Sequence, residues 1–357
     1  MLDLLRAVAT LRVVTYHATG DPHWSWFAAM PLMFFIGGAL YAQSLDRRPW
    51  RTLLPERLRR ILIPWWAWVA LVFGVYTIAG VWGQVPWWGI PGFLVPILPA
   101  VGPRGASGPY YWTWMALWYL NAYIVFMLIG IPFRRWVQRR PRLVVGLLLV
   151  PSLVSGILQE PAIGAVTSSF AFWVLGYTYH DGTIRIRRPV TGLALFAGGT
   201  AVAIAYAELT TGTKVVLTGI PFLSVVVGLA WLGLAGAIEP WVDRVMAVRL
   251  IAYPVEFLKQ RALTVYLWHA AAVGLCASLL GVSGPGVTEW VPRIALVYSV
   301  TFLIVLATGW IEDVAARRPA RVWPNLSGAV VHPELVVDLR SRRSATQRRD
   351  IAESQVS

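Results

Sequence analysis

Apolar runs of about twenty residues recur from one end of the chain to the other, separated by short polar connections. An α-helix rising about 1.5 Å per residue needs that length to cross a hydrocarbon core of about 30 Å. Ten runs are expected to be helices, near residues 4–20, 25–43, 61–82, 113–132, 142–158, 163–179, 189–208, 215–238, 261–281 and 290–311. The pattern predicts an all-α fold, a polytopic bundle of about ten transmembrane helices. The stretch WWGIPGFLVPILPAVGP, from Trp87, is also apolar, but prolines and glycines break it. It is expected to lie in the membrane interface or to re-enter.

Composition agrees: 57% of the 357 residues are hydrophobic and 13% are charged, against about 25% charged in soluble domains. The net charge of +14 would suit a nucleic-acid partner, but the arginines stand in clusters between apolar runs, as topology determinants do. Arg47, Arg48, Arg51, Arg57, Arg59 and Arg60 follow the second run, and Arg134, Arg135, Arg139, Arg140 and Arg142 follow the fourth. Arg185, Arg187 and Arg188 follow the sixth, and Arg244, Arg249, Lys259 and Arg261 the eighth. The alternate connections hold only Arg104, Lys214 and Arg293. Both termini are therefore expected in the cytoplasm, with a multi-pass membrane domain over residues 1–318 in the inner (cytoplasmic) membrane and no nucleic-acid partner. Residues 319–357 are polar and arginine-rich and are expected to be a disordered cytoplasmic tail drawn to anionic lipid. The first run lacks a basic leader and is expected to stay rather than be cleaved. The preference for arginine over lysine suggests a GC-rich bacterial genome. The single cysteine, Cys276, excludes a disulfide within the chain.

The first run, DLLRAVATLRVVTYHATG from Asp3, carries charges that a lipid-facing helix would not. Helical geometry puts Arg6 and His17 within roughly 20° of one face and about 16 Å apart in depth, with Asp3 and Thr10 near that face. Two readings fit. The stripe lines a cavity, or His17 is hydrogen-bonded inside the bundle while Arg6 snorkels to the headgroups. Arg12 lies on another face, about 240° round from Arg6, facing an unseen carboxylate or a second cavity wall. His23, His180 and His332 fall in polar connections, and no histidine pair has metal-ligand spacing, so no metal is expected. Trp24, Trp26, Trp82, Trp87, Trp88, Tyr110, Tyr111 and Trp112 gather toward the outer face, and most are expected to form an aromatic belt, with sugar stacking on one or two of them as the less favoured reading.

Asp3 and Arg6 in LDLLR, with His17 eleven positions after Arg6, resemble the first-helix signature of the acyltransferase-3 family of integral membrane O-acyltransferases. MPLMFFIGGAL from Met30 resembles that family's second helix, and RLRRILIP from Arg57 its basic loop entering a proline-broken third helix. ALWYLNAYI from Ala116 resembles its aromatic fourth helix, and LTVYLWH from Leu263 its late tyrosine–histidine segment. The likeness runs from Leu2 to Ile311. Gly37 and Thr264 stand where the family commonly has serine, and the opening two residues before Asp3 suggest a start further upstream.

The resemblance implies transfer of an acetyl or other short acyl group from acyl-CoA, as donor substrate rather than bound cofactor, to a hydroxyl of a glycan, glycolipid or secondary metabolite. His17 would be the general base or would carry the acyl group covalently, and Arg6, paired with Asp3, would work at the donor end. Arg57 and Arg60, one helical turn apart, would clamp the CoA phosphates, although plain topology also accounts for them. Arg12, Tyr266 and His269 would line the same cavity, although a buried histidine bonded to a neighbouring helix is the favoured reading of His269 over a direct catalytic role. Two rivals remain: a secondary transporter whose polar first helix lines a substrate path, and a non-catalytic membrane scaffold.

Overall fold

The computed structural model describes residues 1–102, 109–158, 161–184, 188–210, 217, 220–280 and 290–327. Its helices are α1 (Leu2–Thr19), α2 (Ala29–Arg47), α3 (Trp50–Ile78), α4 (Ile90–Leu94), α5 (Trp118–Arg139), α6 (Pro141–Leu158), α7 (Pro161–His180), α8 (Pro189–Thr210), α9 (Pro221–Met246), α10 (Arg249–Leu280), α11 (Trp290–Thr308) and α12 (Trp310–Ala315). Every regular element among the described residues is helical. A helix stands over each expected apolar run. Six stretches, Pro22–Arg47, Trp50–Ile78, Tyr110–Arg139, Pro189–Leu209, Pro221–Met246 and Trp290–Thr308, are long and apolar enough to cross a membrane. The chain is therefore a multi-pass membrane protein, while the count of ten crossings and the side of the termini rest on the sequence pattern. α1 and α10 fall outside those six, and they carry the charged and histidine residues of interest. They pack on each other, with α2 and α11 also against α1.

Several helices begin before their apolar runs. α3 starts at Trp50 and α10 at Arg249, so Arg57, Arg60 and Arg261 lie inside helices rather than in connections. Arg261 is wholly buried and donates through Nη2 to Asp313 Oδ2 (2.8 Å) and the Arg321 carbonyl (2.8 Å). Arg318 pairs with the other Asp313 oxygen at 3.0 Å. Arg317, at φ 56°, turns the chain after α12. The following segment then runs along α10, where Gln260 donates to the Asn325 carbonyl (2.6 Å) and Phe257 meets Trp323. Residues 328–357 of the expected tail, with Arg104, Arg185, Arg187, Lys214 and His332, lie outside the described residues.

α2 and α7 approach at glycines. A Cβ on Gly38 would stand 1.9 Å from the Trp173 carbonyl oxygen, and one on Gly176 would stand 2.1 Å from that of Phe35. Small residues let membrane helices meet backbone to backbone. Gly37 is confined as well, since a Cβ there would meet Trp173 and Tyr123 at 2.9 Å. That crowding accounts for glycine where the resemblance led us to expect serine.

The broken stretch after Trp87 holds one 3-10 turn, Trp87–Gly89, and the short α4. Its freed carbonyls need donors, because unpaired peptide groups are expensive away from water. Trp65 Nε1 supplies Phe93 (2.7 Å), Trp66 Nε1 supplies Leu94 (3.0 Å), and Asn121 Nδ2 supplies Pro96 and Leu98 (2.9 and 2.7 Å).

Candidate active site

One face of α1 lines three spaces in succession. Arg6 borders a cavity of about 360 Å³ at the arginine-rich end of the bundle. Thr10, Val13 and Val14 border a small void of about 10 Å³. His17, with Thr19 and Gly20, borders a cavity of about 300 Å³ at the other end. The helical spacing of 6, 10, 13 or 14 and 17 is what one lined wall requires, and the hydroxyl of Thr10 is turned back onto the Arg6 carbonyl (2.8 Å).

At the arginine-rich end, Arg6 Nη2 bonds Asp3 Oδ1 at 2.7 Å, as the sequence suggested. Arg57 and Arg60 share this cavity with Arg47, Arg48 and Tyr123. Arg57 is already engaged: Nη2 donates to the Leu40 carbonyl (3.1 Å) and Ser44 Oγ (2.6 Å), and Nη1 to the Tyr123 hydroxyl (3.4 Å). Its guanidinium also lies over the Tyr41 ring. It ties α2, α3 and α5 together at the cavity wall. Arg60 is exposed and makes no hydrogen bond among the described residues, so its fork is available.

At the far end His17 is half-buried, with its ring edge-on to Tyr16 (5.2 Å between centroids) and to Trp112 (5.8 Å). The His269 ring lies 5.3 Å away. His269 is 1% exposed, and its Nδ1 faces the carbonyls of Tyr266 (2.7 Å) and Val265 (3.2 Å) on its own helix, not a neighbouring one. Carbonyls only accept, so Nδ1 carries the proton and Nε2 is left as a bare acceptor. Nε2 is buried and has no partner among the described residues. Tyr266 and His269 both border the small void, and the Tyr266 hydroxyl is held by the Ala116 carbonyl.

Arg12 is placed differently. It is 7% exposed, its Nε donates to the Trp24 carbonyl at 2.5 Å, and its guanidinium lies over the Tyr16 ring. It borders none of the three spaces, and no carboxylate pairs with it among the described residues. Trp112 and Arg293, which do border the His17 cavity, were legible only as an interfacial aromatic and an arginine on the unusual side.

Asp46, His180 and Asp181 place potential ligand atoms within 4.8 Å of one another. Arg134 occupies that cluster: Nη1 and Nη2 clasp Asp181 at 2.5 and 2.6 Å, Nη2 reaches Asp46 at 3.1 Å, and His180 Nε2 meets Asp46 at 2.9 Å. The guanidinium supplies the charge that a cation would, and the group joins α2, α5 and the end of α7.

A family model described as an acyltransferase domain matches residues 1–310. Comparison with curated proteins and with solved structures gave no match.

Proposed function

The chain belongs to the acyltransferase-3 family, and from that premise we propose that it moves an acetyl or other short acyl group from acyl-CoA to a hydroxyl of a glycan, glycolipid or secondary metabolite. The carrying observation is the single wall of α1, which runs from a cavity rich in arginine to one holding His17. The donor nucleotide would rest at the arginine-rich, cytoplasmic end of a cell inner-membrane protein. Arg60 would offer its free fork to phosphate, Arg57 would add positive charge from a fixed position, and Arg6, steadied by Asp3, would meet the arm of the donor.

At the other end His17 acts as general base. A ring nitrogen takes the proton of the acceptor hydroxyl as its oxygen attacks the thioester carbonyl. The carbon–sulfur bond breaks, and the imidazolium returns that proton to the leaving thiolate. His269 serves as a positioning residue. A small ring rotation lets its bare Nε2 accept the other N–H of His17, which fixes which His17 nitrogen is the base.

The test is transfer of labelled acetyl from acetyl-CoA in inside-out vesicles carrying native lipids and glycans. Labelling by wild type and none by His17→Ala at equal abundance supports the reading. Equal labelling by both refutes His17 as base. The transporter alternative predicts solute uptake without CoA dependence.

A further inference from the structure

The proposed reaction has to bring the acyl group past the middle of α1. Arg6 and His17 border separate cavities, and eleven residues of helix set them about 16 Å apart. Between them lies the void of about 10 Å³, room for about one water molecule. An extended donor arm needs a continuous passage, so a side chain at the void has to leave it. Five of the seven residues around the void are poorly suited to leaving. Thr10 is bonded back to the Arg6 carbonyl, the Tyr266 hydroxyl is held by the Ala116 carbonyl, and His269 Nδ1 by the Tyr266 carbonyl. Val13 and Val14 are buried and branched at Cβ, which leaves each close to one rotamer in a helix. The other two are Met30 and Met33 on α2, both half-buried. Methionine is unbranched and adapts its shape readily. Met30 also has somewhere to go. It borders another cavity, of about 120 Å³, set among α2, α5, α7 and α9, with Trp118, Phe172, Ser169 and Ser224 in its wall.

We infer that Met30 is a gate: its thioether swings from the void into this neighbouring cavity and so joins the arginine-rich cavity to the one holding His17. What passes, the acyl-carrying arm of the donor, rests on the acyltransferase reading. The movement itself rests on the two spaces that Met30 separates. The swing trades contacts with Val13 and Val14 for contacts with Trp118 and Phe172, so apolar packing is kept in both positions. With the thioether in the void, the two ends of the α1 wall stay apart. With it withdrawn, the wall becomes one continuous path whose far side is fixed by Thr10, Tyr266 and His269.

The experiment measures how fast a thiol at the void reacts. The full chain in nanodiscs carries Val14→Cys with Cys276→Ala, and the probe is sulfonatoethyl methanethiosulfonate. Adding Met30→Ala is expected to speed labelling by at least about tenfold, because an open form populated at 10% or less becomes the resting form. Ser224→Leu on α9 and Ser169→Leu on α7 fill the receiving cavity without touching the void, and each is expected to slow labelling severalfold. Val72→Cys, buried in α3 away from the void, replaces Val14→Cys in a control whose rate is expected to stay constant. Labelling that ignores both Met30→Ala and the two filling variants overturns the gate, since Met30 is then plain packing. Equal acceleration of the Val72→Cys control by Met30→Ala overturns it too, by showing general loosening. If one filling variant fails to reach wild-type abundance, the other, on a different helix, decides. Labelling needs neither CoA nor turnover, so the gate and CoA-dependent transfer can fail separately.

Discussion

His17 and His269 meet with ring centroids 5.3 Å apart, although they come from the first and the tenth helix. The Nδ1 proton of His269 is committed to its own helix, which leaves Nε2 bare beside the candidate base.

If the pair acts as one device, its losses will not add. His17→Ala should lower the rate of CoA release by about 10²–10⁴-fold, the range for general-base catalysis. His269→Leu should lower kcat while leaving the KM for acetyl-CoA unchanged, and His269→Gln, whose amide oxygen can still accept, should recover part of the rate. The double variant should be no slower than His17→Ala alone. Multiplicative losses in steady-state kinetics would separate the two residues.

The two donor-end arginines should fail differently. Arg60→Gln should raise the KM for acetyl-CoA roughly tenfold, the loss of one hydrogen bond to a charged group, with abundance intact. Arg57→Gln breaks bonds to Leu40 and Ser44, so membrane abundance should fall together with affinity. Immunoblotting beside kinetics separates these effects.

Gly38→Ala should destabilise the protein by about 1–3 kcal/mol, because the new methyl meets backbone rather than a movable side chain. Gly74→Ala in α3 meets nothing within 4 Å and should be neutral or slightly stabilising. Melting in detergent tests both.

Glu312, in α12 beyond the last candidate span, is pushed up to about 7 by burial, against the opposing hydrogen bonds from Thr264 and the charges of Arg261 and Arg318. A carboxyl whose folded value is raised favours the folded state below its ordinary value of 4.5, and that contribution is lost as pH climbs to 7. Melting should therefore fall between pH 5 and pH 7 by at most about 3 kcal/mol. Glu312→Gln keeps an oxygen for the Thr264 N–H and hydroxyl, which both bond Glu312 Oε1 at 2.7 and 2.5 Å. Its melting should be flat over that window; an unchanged slope would assign the pH dependence to other groups.

Run length made the helices legible, and the eleven-residue spacing made the Arg6–His17 wall legible, because both are local properties of one helix. Other features depend on contacts between distant elements. Nothing in LTVYLWH announces that Thr264 meets Glu312, or that His269 turns Nδ1 inward on its own helix and lies beside His17. Arg57 and Arg261 read as loop charges because apolar runs mark the hydrocarbon core, whereas helices continue past it as long as their own hydrogen bonds hold. Arg12 was rightly separated from Arg6 by angle, but its partner, a backbone carbonyl in the turn after α1, carries no sequence signature.

Arg261 and Asp313 also set an order of assembly. The arginine leaves the ribosome 52 residues before the aspartate that neutralises it, so α10 must enter the bundle with an unpaired charge or wait. Waiting costs less. The finished bundle is then locked by a piece beyond the matched family region, and a chain cut just after α11 should be inserted yet handed to quality-control proteases.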